Sequence, residues 1–517
     1  KPDGNTITFP ASHIGLAEAL CDIADTWSSD ELFRRKKEQL HTFKGVVPQS
    51  LPEGFCATLR DYQHAGYDWF YFLKEFRFGG CLADDMGLGK TVQTLALLLR
   101  EKQLGEGQPS IVVVPNSLLF NWQREAKKFS PAVNMLIYHG NNRHTYSDIL
   151  YMADVVLTTY GTILRDSTRL QGIRFHYIIL DEAQAIKNPS SRISKAIRML
   201  QCNYRLALSG TPIENNLSEL WSLVSFLNPG MVGSYSEFVK EFIKPVEKEM
   251  NEIRLDMLKK MVFPIILRRT KAQVAKDLPP KSEIVVYTEM LQRQRTMYDI
   301  TRELFYGRIR DSLDRVGIEG TQMQLLEGML RLRQICCHPR LYENSYADDS
   351  AKYQLLEEEL HDAVSEGHRV LVFSQFVTAL ELLRERLRYT GLRSELLTGA
   401  THDRQKVVDR FQSGEGAPVF LISLKAGGTG LNLTAADYVF HLDPWWNPSV
   451  ENQASDRAYR IGQTKPVFVY KLITQDSIEE WVLELQEKKR LLAGTIIQTE
   501  SSFFKHLGRD DILHLFE

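Results

Sequence analysis

Three groups of residues in this chain have the types and spacing to work on a phosphate ester. In the first, Gly80-Cys81-Leu82-Ala83-Asp84-Asp85-Met86-Gly87-Leu88-Gly89-Lys90-Thr91, an apolar strand end runs into a glycine-rich turn and then an amphipathic helix from Val92 to Arg100. Gly87 and Gly89 carry no Cβ, so the backbone can come close to an anion. Successive N–H groups at a helix start then face that anion. Lys90 can reach the β- and γ-phosphates of a nucleotide, and the Thr91 hydroxyl can hold Mg²⁺. Asp84 stands where the strict pattern has its first glycine, and taken alone the stretch also suits an ordinary strand–turn–helix corner. The second group is Asp181-Glu182, after the apolar run Tyr177–Leu180. A carboxylate at a strand end can hold Mg²⁺ through water, and its neighbour can orient and deprotonate an attacking water. The third is Arg457 and Arg460, whose spacing puts them on one face of a helix that Gly462 is placed to end. A guanidinium pair can stabilise transition-state charge on a γ-phosphate; beside Asp456 the same pair would also suit a surface salt-bridge face.

Positioning these groups requires a large α/β framework. Short apolar runs (Ile111–Val114, Met135–Tyr138, Val155–Leu157, Tyr177–Leu180, Leu206–Leu208) alternate with helical stretches and turns. This predicts a parallel sheet covered on both faces, whose ligands sit at the carboxyl ends of the strands. Pro115-Asn116-Ser117, Thr158-Thr159-Tyr160-Gly161-Thr162, Asp181-Glu182-Ala183-Gln184 and Ser209-Gly210-Thr211-Pro212 fall at those ends. Upstream of the phosphate loop, Leu59-Arg60-Asp61-Tyr62-Gln63 opens a helix whose Trp69, Phe70, Tyr71 and Phe72 are expected in the core. The Gln63 amide has a donor and an acceptor and can read the edge of adenine; otherwise it is a helix-start residue.

A second alternation has strands at Val370–Phe373, Ser394–Leu397, Val419–Ile422, Tyr438–Leu442 and Val467–Leu472. At its strand ends stand Ser374-Gln375-Phe376, Leu397-Thr398-Gly399 and Lys425-Ala426-Gly427-Gly428-Thr429-Gly430. Between the two alternations, residues from about 217 to 345 read as mostly helical, and a helix from Ser477 to Leu492 is expected to brace the first lobe. Helical spacing of Ile14, Ala17, Leu20, Ile23, Ala24 and Trp27 makes residues 1–50 a small helical segment, the tail of an upstream domain. Residues 491–517 are expected to form a C-terminal brace or tail.

The 517 residues, 43% hydrophobic and 25% charged, describe a globular protein of several domains. No apolar run approaches the roughly 20 residues of a membrane helix, so no membrane partner is expected. The net charge of −2 carries no global basic signal, yet a nucleic-acid groove can be locally basic. The chain begins at Lys1 and is read as a piece of a longer protein. Its six cysteines show no zinc-ligand spacing and are expected to be buried free thiols.

Together these stretches resemble the SWI/SNF-type ATPases, the chromatin-remodeller branch of the superfamily-two helicases. The resemblance rests on Leu82 to Thr91, with Asp84 itself usual for the family, and on Asp181-Glu182-Ala183-Gln184. It continues through Ser209-Gly210-Thr211-Pro212-Ile213-Glu214-Asn215 with Glu219-Leu220-Trp221, and Leu267-Arg268-Arg269-Thr270-Lys271 with Leu278-Pro279-Pro280-Lys281. Arg333-Gln334-Ile335-Cys336-Cys337-His338-Pro339 and Gln453 to Gln463 complete it, so that it covers about Leu59 to Gln486. Gln184 is more similar to bacterial or archaeal members.

The resemblance implies an α/β protein of two RecA-like, doubly wound parallel-sheet lobes with helical protrusions. Lobe 1, the ATP-binding one, takes 51–270, with a protrusion from about 217; 271–350 is a helical protrusion and inter-lobe linker; lobe 2 takes 351–490. Nucleotide contacts are implied for Arg60, Gln63, Asp84, Asp85, Met86, Gly87, Leu88, Gly89, Lys90 and Thr91, with Mg²⁺ on Thr91 and Asp181. Catalysis falls to Lys90, Glu182, Arg457 and Arg460, Arg460 being the principal arginine finger. Contacts to a DNA backbone are implied for Pro115, Asn116, Ser117, Thr159, Gly161, Thr162, Ser374, Gln375, Thr398, Gly399, Lys425, Gly427, Gly428 and Thr429.

The activity so implied is a DNA-stimulated ATPase that uses ATP and Mg²⁺ between two lobes to translocate on double-stranded DNA without separating its strands. It would move along or remodel protein–DNA complexes, in the nucleoid of a bacterial or archaeal cell or in a eukaryotic nucleus. Two alternatives share the ATP site. One is a strand-separating DNA or RNA helicase, against which Leu267 to Lys281 speaks. The other is a nucleotide-gated clamp on DNA or on a protein such as RNA polymerase, against which the intact Lys90, Asp181, Glu182, Arg457 and Arg460 speak.

Overall fold

The computed structural model describes residues 46–492 except 106, 141–142, 144–148, 211–216, 250, 276, 402 and 428–430, together with two short paired strands, β1 (Pro2–Asp3) and β2 (Thr6–Ile7). The expected helix around 14–27, the tail 493–517, Thr211 to Asn215, Gly428 and Thr429 lie outside the described residues. The chain divides into two units, 1–276 and 277–517.

The first unit is built on seven parallel strands: β3 (Gly80–Leu82), β4 (Ser110–Val114), β5 (Met135–Tyr138), β6 (Val155–Thr159), β7 (Arg174–Asp181), β8 (Gln201–Leu208) and β9 (Ile266–Leu267), in the order β5-β6-β4-β7-β8-β3-β9. β4 and β6 are buried along their whole length, as expected of a parallel sheet covered on both faces. Alternate side chains serve different cores. Val112 and Val114 pack with Trp69, Phe70 and Phe72 of helix α1 (Asp61–Phe76) and with Leu95 and Leu98 of α2 (Lys90–Leu104), while Ile111 and Val113 join Cys81 and Ile178 in the second cluster. The aromatic run of α1 is therefore core, as its sequence suggested. Register decides the site: Leu208 pairs with Leu82 on one side and with Asp181 on the other. The loop after Leu82, the acidic pair after Leu180 and Ser209 thus leave the sheet side by side.

The second unit has six parallel strands: β10 (Lys281–Thr288), β11 (Val370–Ser374), β12 (Ser394–Leu397), β13 (Val419–Ser423), β14 (Tyr438–His441) and β15 (Val467–Thr474), ordered β10-β15-β14-β11-β13-β12. Residues 217–345 are mostly helical as read, but β10 lies within them as a strand the pattern did not show. It pairs with β15 over eight residues, from Lys281↔Val467 to Thr288↔Thr474. As an edge strand it leaves Ile284, Val285 and Tyr287 exposed, so its pattern lacks the continuous burial that marks the central strands. The helical stretch Gln292–Cys337 is broken at Gly317, whose φ of +71° glycine adopts without strain. The C-terminal helix, Ile478–Leu492, packs Ile478, Val482 and Leu485 against Tyr298, Phe305 and Trp446 of its own unit. Arg333 lies 5.7 and 5.0 Å from the rings of Trp445 and Trp446, which gives that tryptophan pair a structural role. Cys81, Cys336 and Cys337 are buried free thiols as expected, but Cys202 is half-buried and Cys56 exposed.

Two buried histidines are expected to make this unit acid-sensitive. His441 and His338 are 1% and 6% exposed, and burial pushes each ring down to about 4. A depressed folded-state value contributes stability above the unfolded value of about 6.5, and that stability is lost as pH falls toward 4. Urea unfolding is expected to show stability dropping by a few kcal/mol between pH 6.5 and 4. His441→Asn should shrink that drop, and an unchanged pH profile in the variant would contradict the assignment.

Candidate nucleotide site and strand-end loops

The phosphate loop is held from beneath by the start of α1. Gln63 is 6% exposed, and both ends of its amide are engaged: Nε2 donates to the Leu88 carbonyl at 3.1 Å and Oε1 accepts from the Arg60 N–H at 3.0 Å. The Tyr62 hydroxyl donates to the same carbonyl at 3.0 Å. Gln63 thus braces the loop, a role its helix-start position did not reveal. Gly89 caps α2 with φ +80°, and a Cβ there would sit 2.3 Å from Gln63 Nε2, so side-chain-free backbone is required at this turn. Lys90 Nζ donates to the carbonyls of Asp84 at 2.6 Å and Asp85 at 3.3 Å. Met86 packs where a Cβ on Gly210 would meet its Cγ at 2.9 Å, joining the loop to the end of β8.

The structure corrects the expectation for the side chains of Asp84 and Asp85. Asp84 is fully buried, and its carboxylate is gripped by Arg269, whose Nε donates at 2.9 Å and whose backbone N–H donates at 3.1 Å. The Asp85 carboxylate accepts from the Lys271 N–H at 2.9 Å. Two carboxylates so engaged are held by the chain's own donors and not aimed at a ligand. Removing either partner of a buried ion pair costs about 3–5 kcal/mol, so Asp84 in place of the first glycine is explained by Arg269.

Asp181 is 7% exposed. Its Oδ2 accepts from Trp122 Nε1 at 2.7 Å and its Oδ1 from the Glu182 N–H at 2.9 Å. Burial, with the Glu182 charge adding to it, pushes the carboxyl up to about 7. A cation would favour its ionised form, and Asp181 with the Thr91 hydroxyl offers the hard oxygen donors that suit Mg²⁺, which binds through one or two carboxylates plus phosphates. The residues present therefore fit that ion. Trp122 was missed in the sequence, where nothing links it to a carboxylate 59 residues on.

Glu182 adopts φ +50°, an uncommon conformation for a non-glycine residue. Gln184 Nε2 donates to its Oε2 at 2.8 Å, and Ser209 Oγ donates to Gln184 Oε1 at 3.3 Å. A polar line thus runs from the end of β8 to the carboxylate expected to handle water. Gln184→Ala removes the group that orients Glu182, and is expected to lower kcat about tenfold with KM for ATP little changed; steady-state kinetics over a range of ATP checks it.

The loops proposed for nucleic acid divide by accessibility. Asn116, Gly161, Gly399 and Lys425 are exposed, and Pro115 and Ser117 are half-buried. Thr159 caps the helix Tyr160–Arg165, accepting from the Thr162 N–H, and both threonine hydroxyls are buried against each other at 3.0 Å. Thr398 is 8% exposed and accepts from the Ala400 N–H. Ser374 is fully buried and donates to Asp443, which also accepts from the Gln375 N–H at 3.2 Å. Gly427 is buried where a Cβ would meet Phe373 at 2.7 Å. The hydroxyls of Ser374, Thr159 and Thr162 therefore shape their loops.

Arg457 and Arg460 are not on a helix. The helix Pro448–Ser455 ends before them. The N–H groups of Arg457 and Ala458 turn to the carbonyls three residues back, and the Gln463 amide holds the carbonyls of Thr434, Ala436 and Ala458. These bonds draw the chain into a tight turn that closes at Gly462, with φ +103°. Arg457 is 5% exposed, and its carbonyl accepts from the Leu433 N–H. Arg460 is half-buried, with one N–H on the Leu431 carbonyl at 3.3 Å.

Two parallel-sheet units, one with a glycine-rich Lys-Thr loop beside an acidic strand end, define an α/β protein of two lobes. The SNF2-related domain model matches residues 62–341 and the helicase conserved C-terminal domain model residues 351–462; the chain belongs to the SNF2-related family. The YwqA protein of Bacillus subtilis, named as an ATP-dependent helicase/translocase, is 40% identical over 495 residues, covering 92% of this chain and 53% of its own. The ISWI chromatin-remodeling complex ATPase CHR11 of Arabidopsis thaliana is 36% identical, covering 100% of this chain and 50% of its own. The Sulfolobus solfataricus SWI2/SNF2 ATPase core in complex with dsDNA is 38% identical, covering 91% of this chain and 99% of that one, with a TM-score of 0.46. The chain spans about half the length of the curated relatives it matches. Among the described residues no helix is long and apolar enough to cross a membrane.

Proposed function

We propose that this chain is the motor of a DNA-stimulated ATPase that tracks along double-stranded DNA without separating its strands. The observation that carries the reading is the common edge of β3, β7 and β8, where Lys90, the buried Asp181 and the Gln184-oriented Glu182 emerge together. Lys90 would leave the Asp84 and Asp85 carbonyls for the β/γ-phosphates. Thr91 and Asp181 would hold Mg²⁺, which neutralises phosphate charge when bound. Glu182, fixed by Gln184, would orient and deprotonate the attacking water. Arg460, and behind it the more buried Arg457, would stabilise the transferred phosphoryl group. These groups come from both units, so turnover requires the units to bring them together. Asn116, Gly161, Gly399 and Lys425 would meet phosphates, which carry no sequence information, so DNA binding should be sequence-tolerant and salt-sensitive.

The relatives' names, spanning helicase/translocase and chromatin-remodeling ATPase, support the same reading and leave the protein cargo open. A triplex assay separates tracking from unwinding. Displacement of a third strand from duplex DNA, with ATP and without release of a forked strand, is the expected result; vigorous fork unwinding would favour the strand-separating helicase.

A further inference from the structure

We infer that Arg269 is a positioning residue that ties the phosphate loop to the segment by which the chain leaves its first sheet, so that a nucleotide bound on the loop is sensed at residues 267–271. The inference rests on the nucleotide-site reading above and adds to it a route out of the site. Three kinds of contact carry it. The strands are paired, Leu82 with Leu267, and the Ala83 N–H donates to the Leu267 carbonyl at 2.7 Å. Loop and segment are then joined in both directions through Asp85: its N–H donates to the Arg269 carbonyl at 3.0 Å, and its carboxylate accepts from the Lys271 N–H at 2.9 Å.

The Arg269 guanidinium gathers the remaining parts. It holds both oxygens of the buried Asp84 carboxylate and the Tyr62 carbonyl, donates to Gln93 Oε1 at 3.2 Å, and lies 5.3 Å from the Tyr62 ring. Room for it is made by Gly66, where a Cβ would stand 2.7 Å from Nη2. Tyr62 and Gln93 flank the loop on α1 and α2, so one side chain bonds to all three elements of the cradle.

The direction of coupling follows from Asp84. Its carboxylate is on Arg269 while its carbonyl receives Lys90 Nζ. When Lys90 moves to a phosphate, that carbonyl loses its donor while the carboxylate stays fixed, so any shift of the loop pulls on Arg269. Eight residues after Arg269 the chain enters the second unit. A lysine cannot reproduce this fork.

Hydrogen exchange with and without a non-hydrolysable ATP analogue and Mg²⁺ tests the inference on the wild-type chain, Arg269→Lys, and the amide pair Asp84→Asn/Arg269→Gln. The last supplies the same comparison if the lysine variant fails to fold. In the wild type the analogue should slow exchange at 267–271 about fivefold or more. In the variants the analogue should bind within about threefold of wild type, the response at 267–271 should vanish, and duplex-stimulated kcat should fall about tenfold with KM for ATP nearly unchanged. A merely structural anchor would lower the melting temperature without moving that response or splitting kcat from KM, and would overturn the inference. Analogue binding to the wild type with 267–271 unmoved would also overturn it and leave the nucleotide site standing. No analogue binding to the wild type would instead sink the nucleotide-site reading.

Discussion

Arg460→Ala is expected to lower duplex-stimulated ATP hydrolysis about a thousandfold or more, the scale of an arginine finger, while changing nucleotide affinity little. Arg460 is half-buried, and one of its N–H groups donates to the Leu431 carbonyl at 3.3 Å, so truncation should cost less stability than loss of a fully buried arginine. Arg457 is different: at 5% exposed within the turn, its loss should cost stability as well as rate. Single-turnover hydrolysis beside a thermal melt separates the two. A rate within tenfold of wild type for Arg460→Ala would remove it from the catalytic set.

Glu182→Gln should lower turnover by about two to four orders of magnitude, the range general-base catalysis supplies, with binding of ATP retained. The substitution is nearly isosteric and keeps an oxygen for the Gln184 amide, which now donates to Glu182 Oε2 at 2.8 Å. The strained φ of +50° at residue 182 is a backbone property that glutamine inherits. Loss of the fold is therefore not expected, and the missing element is a group able to take the proton of the attacking water. Hydrolysis and equilibrium nucleotide binding, measured on the same preparation, check it. Turnover near wild type would assign the base elsewhere.

What could be read in the sequence was local. The central strands announce themselves as continuous apolar runs because helices cover both their faces. The residues following them are at the site because parallel strands all end on one edge. A helix after Gly89-Lys90-Thr91 was readable, though α2 begins at Lys90 and not at the expected Val92, and so was the core role of Trp69 to Phe72 from their helix. What could not be read were partnerships across the chain. Asp84 looked like a departure from a phosphate-loop pattern because its partner, Arg269, is 185 residues away. Leu267 to Lys271 was legible as a family feature, but pairing with β3 gives it a physical role. Ser374, Thr159 and Thr162 have the hydroxyls a phosphate contact needs, and only tertiary packing shows them turned inward. The edge strand β10 has its apolar residues half-exposed, and the turn at Arg457 is set by the Gln463 amide, whose acceptors lie as far as 29 residues back.

The most direct test is steady-state ATP turnover by the chain alone and with duplex DNA, single-stranded DNA or RNA, with Glu182→Gln as the blank. The motor reading predicts strong stimulation by duplex DNA, falling as salt is raised, and little by single strands. Stimulation confined to single-stranded DNA or RNA, or none with duplex, would contradict it.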